Sequence, residues 1–316
     1  EKLLKESRAY YCFCSKEDLE AERSAMLSQG IAPKYSGKCR DISFADAEKR
    51  IAAGESGVIR LKIPDTKLSF KDIIRGTITF DGALIGDMVI ARDLTSPLYN
   101  FAVVIDDALM GITHVIRGED LISSTPKQIL LIEVLGFETP QYAHLPMILN
   151  PDRSKMSKRY LDTSLADYIS RGYVKEAVLN FLSFIGWHPE DDKEVMTFSE
   201  IVKEFSLVRV QKGGAVFNEE KLDWLNAHYL KEMPGKAFIR LASEFVPKEW
   251  KLNDAMVDSV RGRVARLNEL EELLNFYFVL PDYAADLLRW KDMKFGDVEV
   301  SLNDTKEKLL GLDAKK

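Results

Sequence analysis

The stretch Asn150-Pro151-Asp152-Arg153-Ser154-Lys155-Met156-Ser157-Lys158-Arg159 divides the chain. Before it, the sequence reads as strands alternating with helices; after it, as helices alone. Four cations, Arg153, Lys155, Lys158 and Arg159, stand against the single carboxylate Asp152, in a chain whose net charge is −6. Such a loop suits a polyphosphate, because lysine ammonium groups follow negative charge as it develops on departing oxygens. A solvated basic turn is the plain alternative. Position weighs against it, since open α/β sheets bind ligands outside the carboxyl ends of their strands.

Working back from the loop, Tyr142 to Leu149 reads as a strand and Ser124 to Leu135 as a helix stopped at Gly136. Ile112 to Arg117 and Tyr99 to Ile105 read as two further strands. Largely apolar strands in this order predict a buried, mainly parallel sheet of an α/β domain. Earlier still, Val58 to Ile63 stops at Pro64-Asp65, and Thr77 to Phe80 runs into the hairpin pair Asp81-Gly82, which predicts a small β-rich insertion. The first fifty residues give a short strand from Tyr10, a charged helix from Ser15 to Gln29, a loop from Gly30 to Gly37, and Cys39.

Beyond Pro151 the expected helices are Val174 to Ile185, a capped helix opening with Thr197-Phe198-Ser199-Glu200, and Glu219 to Leu230 behind Asn218. A long helix over Asp254 to Phe278 would carry Val257, Val260, Val264, Leu267, Leu270 and Leu274 on one stripe. A subdomain split is expected near Pro234-Gly235.

With 316 residues, 46% of them hydrophobic and 30% charged, the chain has material for about two domains and a third small one, which excludes disorder. Its acidic balance excludes nucleic-acid binding by bulk charge. No uncharged apolar run approaches the roughly 18 to 20 residues a membrane span needs, and the stretch Thr139 to Pro151, which lacks charge, contains His144, Pro146 and Asn150, so no membrane span is expected. Three cysteines, an odd number, point to a reducing compartment: cytoplasm, or an organelle matrix. The opening Glu1-Lys2-Leu3-Leu4-Lys5 has no helix cap before it, and a fragment of a longer protein is expected.

Lys155-Met156-Ser157-Lys158-Arg159 resembles the second signature of class I aminoacyl-tRNA synthetases. Tyr99-Asn100-Phe101-Ala102-Val103-Val104-Ile105-Asp106-Asp107 and Met110-Gly111-Ile112-Thr113-His114-Val115-Ile116-Arg117-Gly118-Glu119-Asp120 are similar to bacterial-type glutamyl-tRNA synthetases. Ser124-Thr125-Pro126-Lys127-Gln128, Ala143-His144-Leu145-Pro146, Leu222-Asp223-Trp224-Leu225-Asn226 and Ala9-Tyr10-Tyr11-Cys12-Phe13-Cys14 belong to the same pattern. The resemblance is dense from residue 95 to 230 and weakens beyond about 250.

What the resemblance implies is an α/β, Rossmann-like class I catalytic core with a small α+β insertion, followed by all-α domains. Residues 1–90 would be the insertion that meets the tRNA acceptor end, and 91–150 the second half of the catalytic domain. Residues 151–235 would form a helical stem-contact domain beginning with the basic loop, and 236–316 part of an anticodon-binding domain. The implied reaction joins L-glutamate to tRNA(Glu): the glutamate carboxylate attacks the α-phosphorus of ATP, pyrophosphate leaves, and a terminal ribose hydroxyl takes the glutamyl group, with Mg²⁺ on the phosphates. Lys155 and Lys158 match the catalytic lysines, and Lys155, Met156, Ser157, Lys158, Arg159 and His144 the ATP-binding positions. Tyr99, Arg117 and Asp120 match glutamate-binding positions; a guanidinium fork suits a carboxylate. Read without the family, Tyr99 is a half-buried strand tyrosine, Arg117 a strand-end ion pair and Asp120 a turn residue. A monomer is expected.

Two departures stand out. The family's first signature, His-Ile-Gly-His, is absent, for the histidines His114, His144, His188 and His228 are not so spaced; the chain as it stands is expected to be an inactive fragment, with its anticodon-binding region cut short. Cys12, Cys14 and Cys39 with Asp41 form two x-separated pairs around which Zn²⁺ would fit, although Asp41 stands where zinc-holding family members have a different residue. The alternative is that Cys12 and Cys14 are small buried hydrophobes. Asp106-Asp107 and Glu119-Asp120 read as turn or cap residues, and Arg209, Lys212 and Gly213-Gly214 as either a tRNA phosphate contact or a solvated loop. Two rivals remain: a non-catalytic tRNA-binding module, against which the intact basic loop counts, and the shorter glutamyl-queuosine tRNA(Asp) synthetase, against which the helices beyond residue 200 count.

Overall fold

The structure, a computed structural model, describes residues 1–156, 164–280 and 282–313. It divides into two compact units, Glu1–Thr163 with Lys175–Leu225, and Ser164–Val174 with Asn226–Lys316. No helix among the described residues is long and apolar enough to cross a membrane.

Seven strands build the two larger sheets of the first unit: β1 (Ala9–Cys12), β2 (Val58–Leu61), β3 (Lys67–Asp72), β4 (Gly76–Asp81), β5 (Met88–Ala91), β6 (His114–Gly118) and β7 (Gln141–Leu145). One sheet is antiparallel in the order β1-β2-β5. Leu3, Leu4, Tyr11, Ile59, Leu61 and Ile90 pack here with Leu130, Leu131 and Ile132 in one apolar cluster. Each fully buried leucine contributes about 1.5–3 kcal/mol. The helices Lys16–Ser28 and Phe44–Ala52 that flank the sheet begin at Ser15 and Ser43, whose hydroxyls accept from the amides of Asp18 and Asp46.

The second sheet is mixed, in the order β4-β3-β7-β6. β3 and β4 form an antiparallel hairpin, whereas β7 runs parallel to both β3 and β6. Between β6 and β7 lies the helix Thr125–Leu135, with Pro126 in its first turn and Gly136 closing it at φ 76°. This strand-helix-strand crossover is the Rossmann-like element of the fold. It aligns the carboxyl ends of β6 and β7, and its strands keep their side-chain order through the register Arg117↔His144.

Three sequence expectations are corrected. Tyr99 to Ile105 is the start of a helix, Tyr99–Leu109, and not a strand; a continuous apolar run fits either, and here Phe101, Val103 and Val104 pack in the same cluster as the helix Thr125–Leu135. Asp81-Gly82 is not the hairpin turn. The turn lies between Asp72 and Gly76, and Asp81 instead caps the short helix Gly82–Ile85 by accepting from the Ala83 amide. The sheet is less parallel than expected, because β3 brings its antiparallel partner with it.

The rest of the first unit contains the helices Lys175–Phe184 and Phe198–Glu204, the latter opened by the expected capping box of Thr197 and Glu200. Strands β8 (Ile148–Leu149) and β9 (Ala215–Val216) pair in parallel beside the basic loop. In the second unit the apolar stripe from Val257 to Leu274 is buried as expected. The single long helix is not formed: it breaks after Arg261, at Gly262, and resumes as short turns from Leu267. Asn226 bridges the gap, accepting from the Val174 amide and donating to the carbonyls of Gly172 and Ala265.

Candidate active site

Arg117 sits one residue from the carboxyl end of β6, and its neighbour across the ladder, His144, one residue from the end of β7. The Arg117 Nε donates to His144 Nε2 at 3.1 Å, and Nη2 donates to Thr125 Oγ1 at 2.9 Å and Gln128 Oε1 at 2.7 Å. Gln128 in turn donates to Asn100 Oδ1 at 2.9 Å. The helix Tyr99–Leu109 therefore reaches the guanidinium through two amide side chains. Burial lowers the pKa of Arg117 from its ordinary value, while Tyr142, Tyr99, Asp107 and Asp120 lie close enough to support its charge.

His144 is 0% exposed. Its Nδ1 lies 2.7 Å from Asp72 Oδ2, which also accepts from the His144 amide at 3.0 Å. Asp72 Oδ1 accepts from the amides of Ile74 and Arg75, each at 2.9 Å. Both ring nitrogens of His144 are engaged inside the protein, Nδ1 with Asp72 and Nε2 with Arg117 and with Thr125 Oγ1 at 3.0 Å.

Tyr99 is the first residue of its helix and 58% exposed, open to a ligand. Asp120 lies in the 3₁₀ turn Glu119–Ser124, with Oδ2 3.8 Å from Lys155 Nζ. A Cβ at Gly118 would come within 2.8 Å of Asp120 Oδ1, so the glycine leaves that carboxylate its place. Behind it, Glu119 pairs with Arg75 and accepts from the Met147 amide at 2.8 Å, fastening β7 to the hairpin. Lys155 bridges to Leu149, and the turn before it is closed by Asn150 and Ser154. Met156 donates its amide to Ile148. Ser157, Lys158 and Arg159 lie outside the described residues.

Tyr99, Arg117, Asp120 and Lys155 thus share one end of the β6–β7 pair. Asp72, Thr125, Gln128 and Asn100 are functional neighbours that sequence reasoning gave no role. Three of them fall within stretches it quoted, but Asp72 carried no signal at all.

The sulfurs of Cys12, Cys14 and Cys39 lie within 4.8 Å of one another, with Cys14 and Cys39 3.6 Å apart. The edge of a tetrahedron with Zn–S bonds of ~2.3 Å is about 3.8 Å, so the thiols fit such an ion. Asp41 does not join them. The fourth donor beside the sulfurs is the Tyr35 hydroxyl, 3.3 Å from Cys12 Sγ and 3.5 Å from Cys14 Sγ. Arg60 stacks on the Tyr35 ring with its Cζ 3.9 Å from the centroid. Burial raises the Cys12 pKa, but the Tyr35 hydroxyl, the Cys14 amide and Arg60 together outweigh it and lower the value. Burial pushes Cys14 up to about 11.

Residues 1–224 match the family described as tRNA synthetases class I (E and Q), catalytic domain. The glutamate–tRNA ligase of Natranaerobius thermophilus is 39% identical over 289 residues, 88% of this chain and 59% of that protein. That of Finegoldia magna is 40% identical over 97% of this chain and 61% of its own length. The chain therefore spans about three fifths of the curated relatives it matches. The crystal structure of a glutamate tRNA ligase from Elizabethkingia meningosepticum, in complex with its amino acid, superposes with a TM-score of 0.81 at 30% identity, covering 91% of this chain and 63% of that one.

Proposed function

The chain belongs to the class I tRNA synthetases of the glutamate and glutamine group, and from that premise we propose that it is part of a glutamate–tRNA ligase, joining L-glutamate to tRNA(Glu) through glutamyl-adenylate with release of AMP and pyrophosphate. The observation that carries this reading is the held, half-buried cation Arg117 at the carboxyl end of the β6–β7 pair, with Tyr99 near it and Lys155 at its rim.

Arg117 binds a carboxylate of glutamate by charge-assisted hydrogen bonds, worth about 1.5–3 kcal/mol. Tyr99 and Asp120 line the same pocket. Lys155 and Lys158 meet the ATP phosphates and neutralise charge as pyrophosphate leaves. Mg²⁺ carried by ATP would supply further neutralisation of the phosphate charge; the three cysteines are the only cluster of potential metal ligands among the described residues. Cys12, Cys14 and Cys39, with the Tyr35 hydroxyl beside them, would hold a Zn²⁺ ion, which would tie β1 to the loop that follows the helix Lys16–Ser28. Residues 1–90 serve the tRNA acceptor end, 151–235 its stem, and 236–316 the anticodon side.

The test is glutamate-dependent exchange of pyrophosphate into ATP by the gene product carrying this sequence, in the presence of tRNA, against its Lys158→Ala variant. Loss of exchange by a hundredfold or so supports the role of the loop; exchange within a few-fold of normal refutes it.

A further inference from the structure

Arg117 has five N–H donors. Three are committed inside the protein, Nε to His144 and both hydrogens of Nη2 to Thr125 and Gln128. Among the described residues, nothing accepts from Nη1. The familiar fork, two parallel bonds from two nitrogens, is therefore already spent, and what faces a ligand is a single nitrogen with two hydrogens.

The state of His144 follows from the same contacts. His144 Nε2 lies 3.1 Å from Arg117 Nε and 3.0 Å from Thr125 Oγ1, whose hydroxyl can turn to Leu121 O; a hydrogen on Nε2 would meet the Nε–H of Arg117, so Nε2 carries the lone pair. The ring proton belongs on Nδ1, where Asp72 Oδ2 accepts it at 2.7 Å. Asp72 is itself 1% exposed and pinned by the amides of Ile74, Arg75 and His144, so its carboxylate cannot turn away. The rings of Phe70 and Tyr142 pack against the imidazole, Tyr142 nearly parallel at 6.1 Å between centroids.

We propose that Asp72 and His144 are positioning residues of the amino-acid site: Asp72 fixes the Nδ1–H tautomer of His144, and the Nε2 lone pair then sets the rotation of Arg117 so that Nη1 alone meets the substrate carboxylate. The proposal rests on the reading of Arg117 as the glutamate ligand. Asp72 ends strand β3, 72 residues from His144 in sequence. Strand β3 therefore supplies the outermost member of the chain that aims the substrate-binding cation.

Kinetics of tRNA glutamylation by the full gene product test it. His144→Phe removes both ring nitrogens and His144→Gln restores an acceptor for Arg117. His144→Phe is expected to raise the glutamate KM by about ten- to hundredfold, the scale of a misplaced binding group, with the ATP KM within twofold. His144→Gln is expected to recover most of that loss. In an Arg117→Ala background, His144→Phe should cause no further rise. An unchanged glutamate KM in His144→Phe, or the same added factor with and without Arg117, overturns the relay. An unchanged glutamate KM in Arg117→Ala removes the reading of Arg117 itself, and the relay with it. Should the histidine variants not fold, ¹⁵N spectra of the unsubstituted protein decide the matter: a proton on Nδ1 of His144 supports the relay, and a proton on Nε2 overturns it.

Discussion

Arg117 and His144 are register partners on adjacent parallel strands, and the Nε of the first donates to the Nε2 of the second across 3.1 Å. A lysine at position 117 has one nitrogen and cannot serve His144, Thr125 and Gln128 while also reaching a ligand. Arg117→Lys is therefore expected to raise the glutamate KM by roughly a hundredfold, about 3 kcal/mol, in initial-rate measurements.

The same pair sets a pH dependence. Burial and the Arg117 charge lower the pKa of His144 below its ordinary 6.5, against the pull of Asp72. Burial raises the Asp72 pKa, but the Arg75 amide, the His144 ring and the amides of His144 and Ile74 more than offset it, and the value falls below 3.8. In both cases the unfolded chain takes up a proton before the folded one, so stability is complete above pH 6.5 and declines as pH falls beneath it. The Asp72 contribution is lost below 3.8. Tyr142, raised by burial to about 12, stays neutral throughout. Urea midpoints should be flat from pH 8 to 6.5 and fall towards pH 5, less so in His144→Phe; a midpoint that rises on acidification contradicts the assignment.

One zinc per chain is expected by elemental analysis after dialysis against metal-free buffer. Cys14→Ser and Tyr35→Phe should each weaken its retention against a chelator by roughly tenfold or more, whereas Asp41→Ala should not. Metal-free protein with all four donors intact would instead make the cysteines a buried apolar cluster.

In the second unit, Gly172 has φ 88°, and an added Cβ would fall 2.4 Å from the Leu267 amide nitrogen. Gly172→Ala forces backbone apart, and Asn226→Ala leaves the Val174 amide and the Ala265 carbonyl without their side-chain partner, while the Gly172 carbonyl keeps the Leu267 amide. Each is expected to cost about 2–4 kcal/mol in denaturant unfolding.

Much of this was legible in the chain because it is local. Gly136, the Thr197–Glu200 capping box and the Asn218 cap are signals a few residues long, and each marks its helix end. The basic loop could be placed at the end of the strands for the same reason. Tyr99 to Ile105 misled because an apolar run without polar interruptions has no period to read. Asp72 was invisible, since its meaning comes from a pairing of β3 with β7 that spans 70 residues. Spacing suggested Asp41 beside Cys39, yet the loop from Gly30 to Gly37 folds back to bring Tyr35 there instead.

The most direct test of the central claim is ATP-dependent attachment of labelled amino acid to tRNA by the full gene product, with glutamate and glutamine compared, and with Arg117→Ala beside the unsubstituted protein. The account predicts attachment of glutamate, and its loss by about a hundredfold or more in Arg117→Ala at low glutamate concentration. Undiminished attachment in Arg117→Ala, or no attachment of glutamate while tRNA still binds, would contradict it.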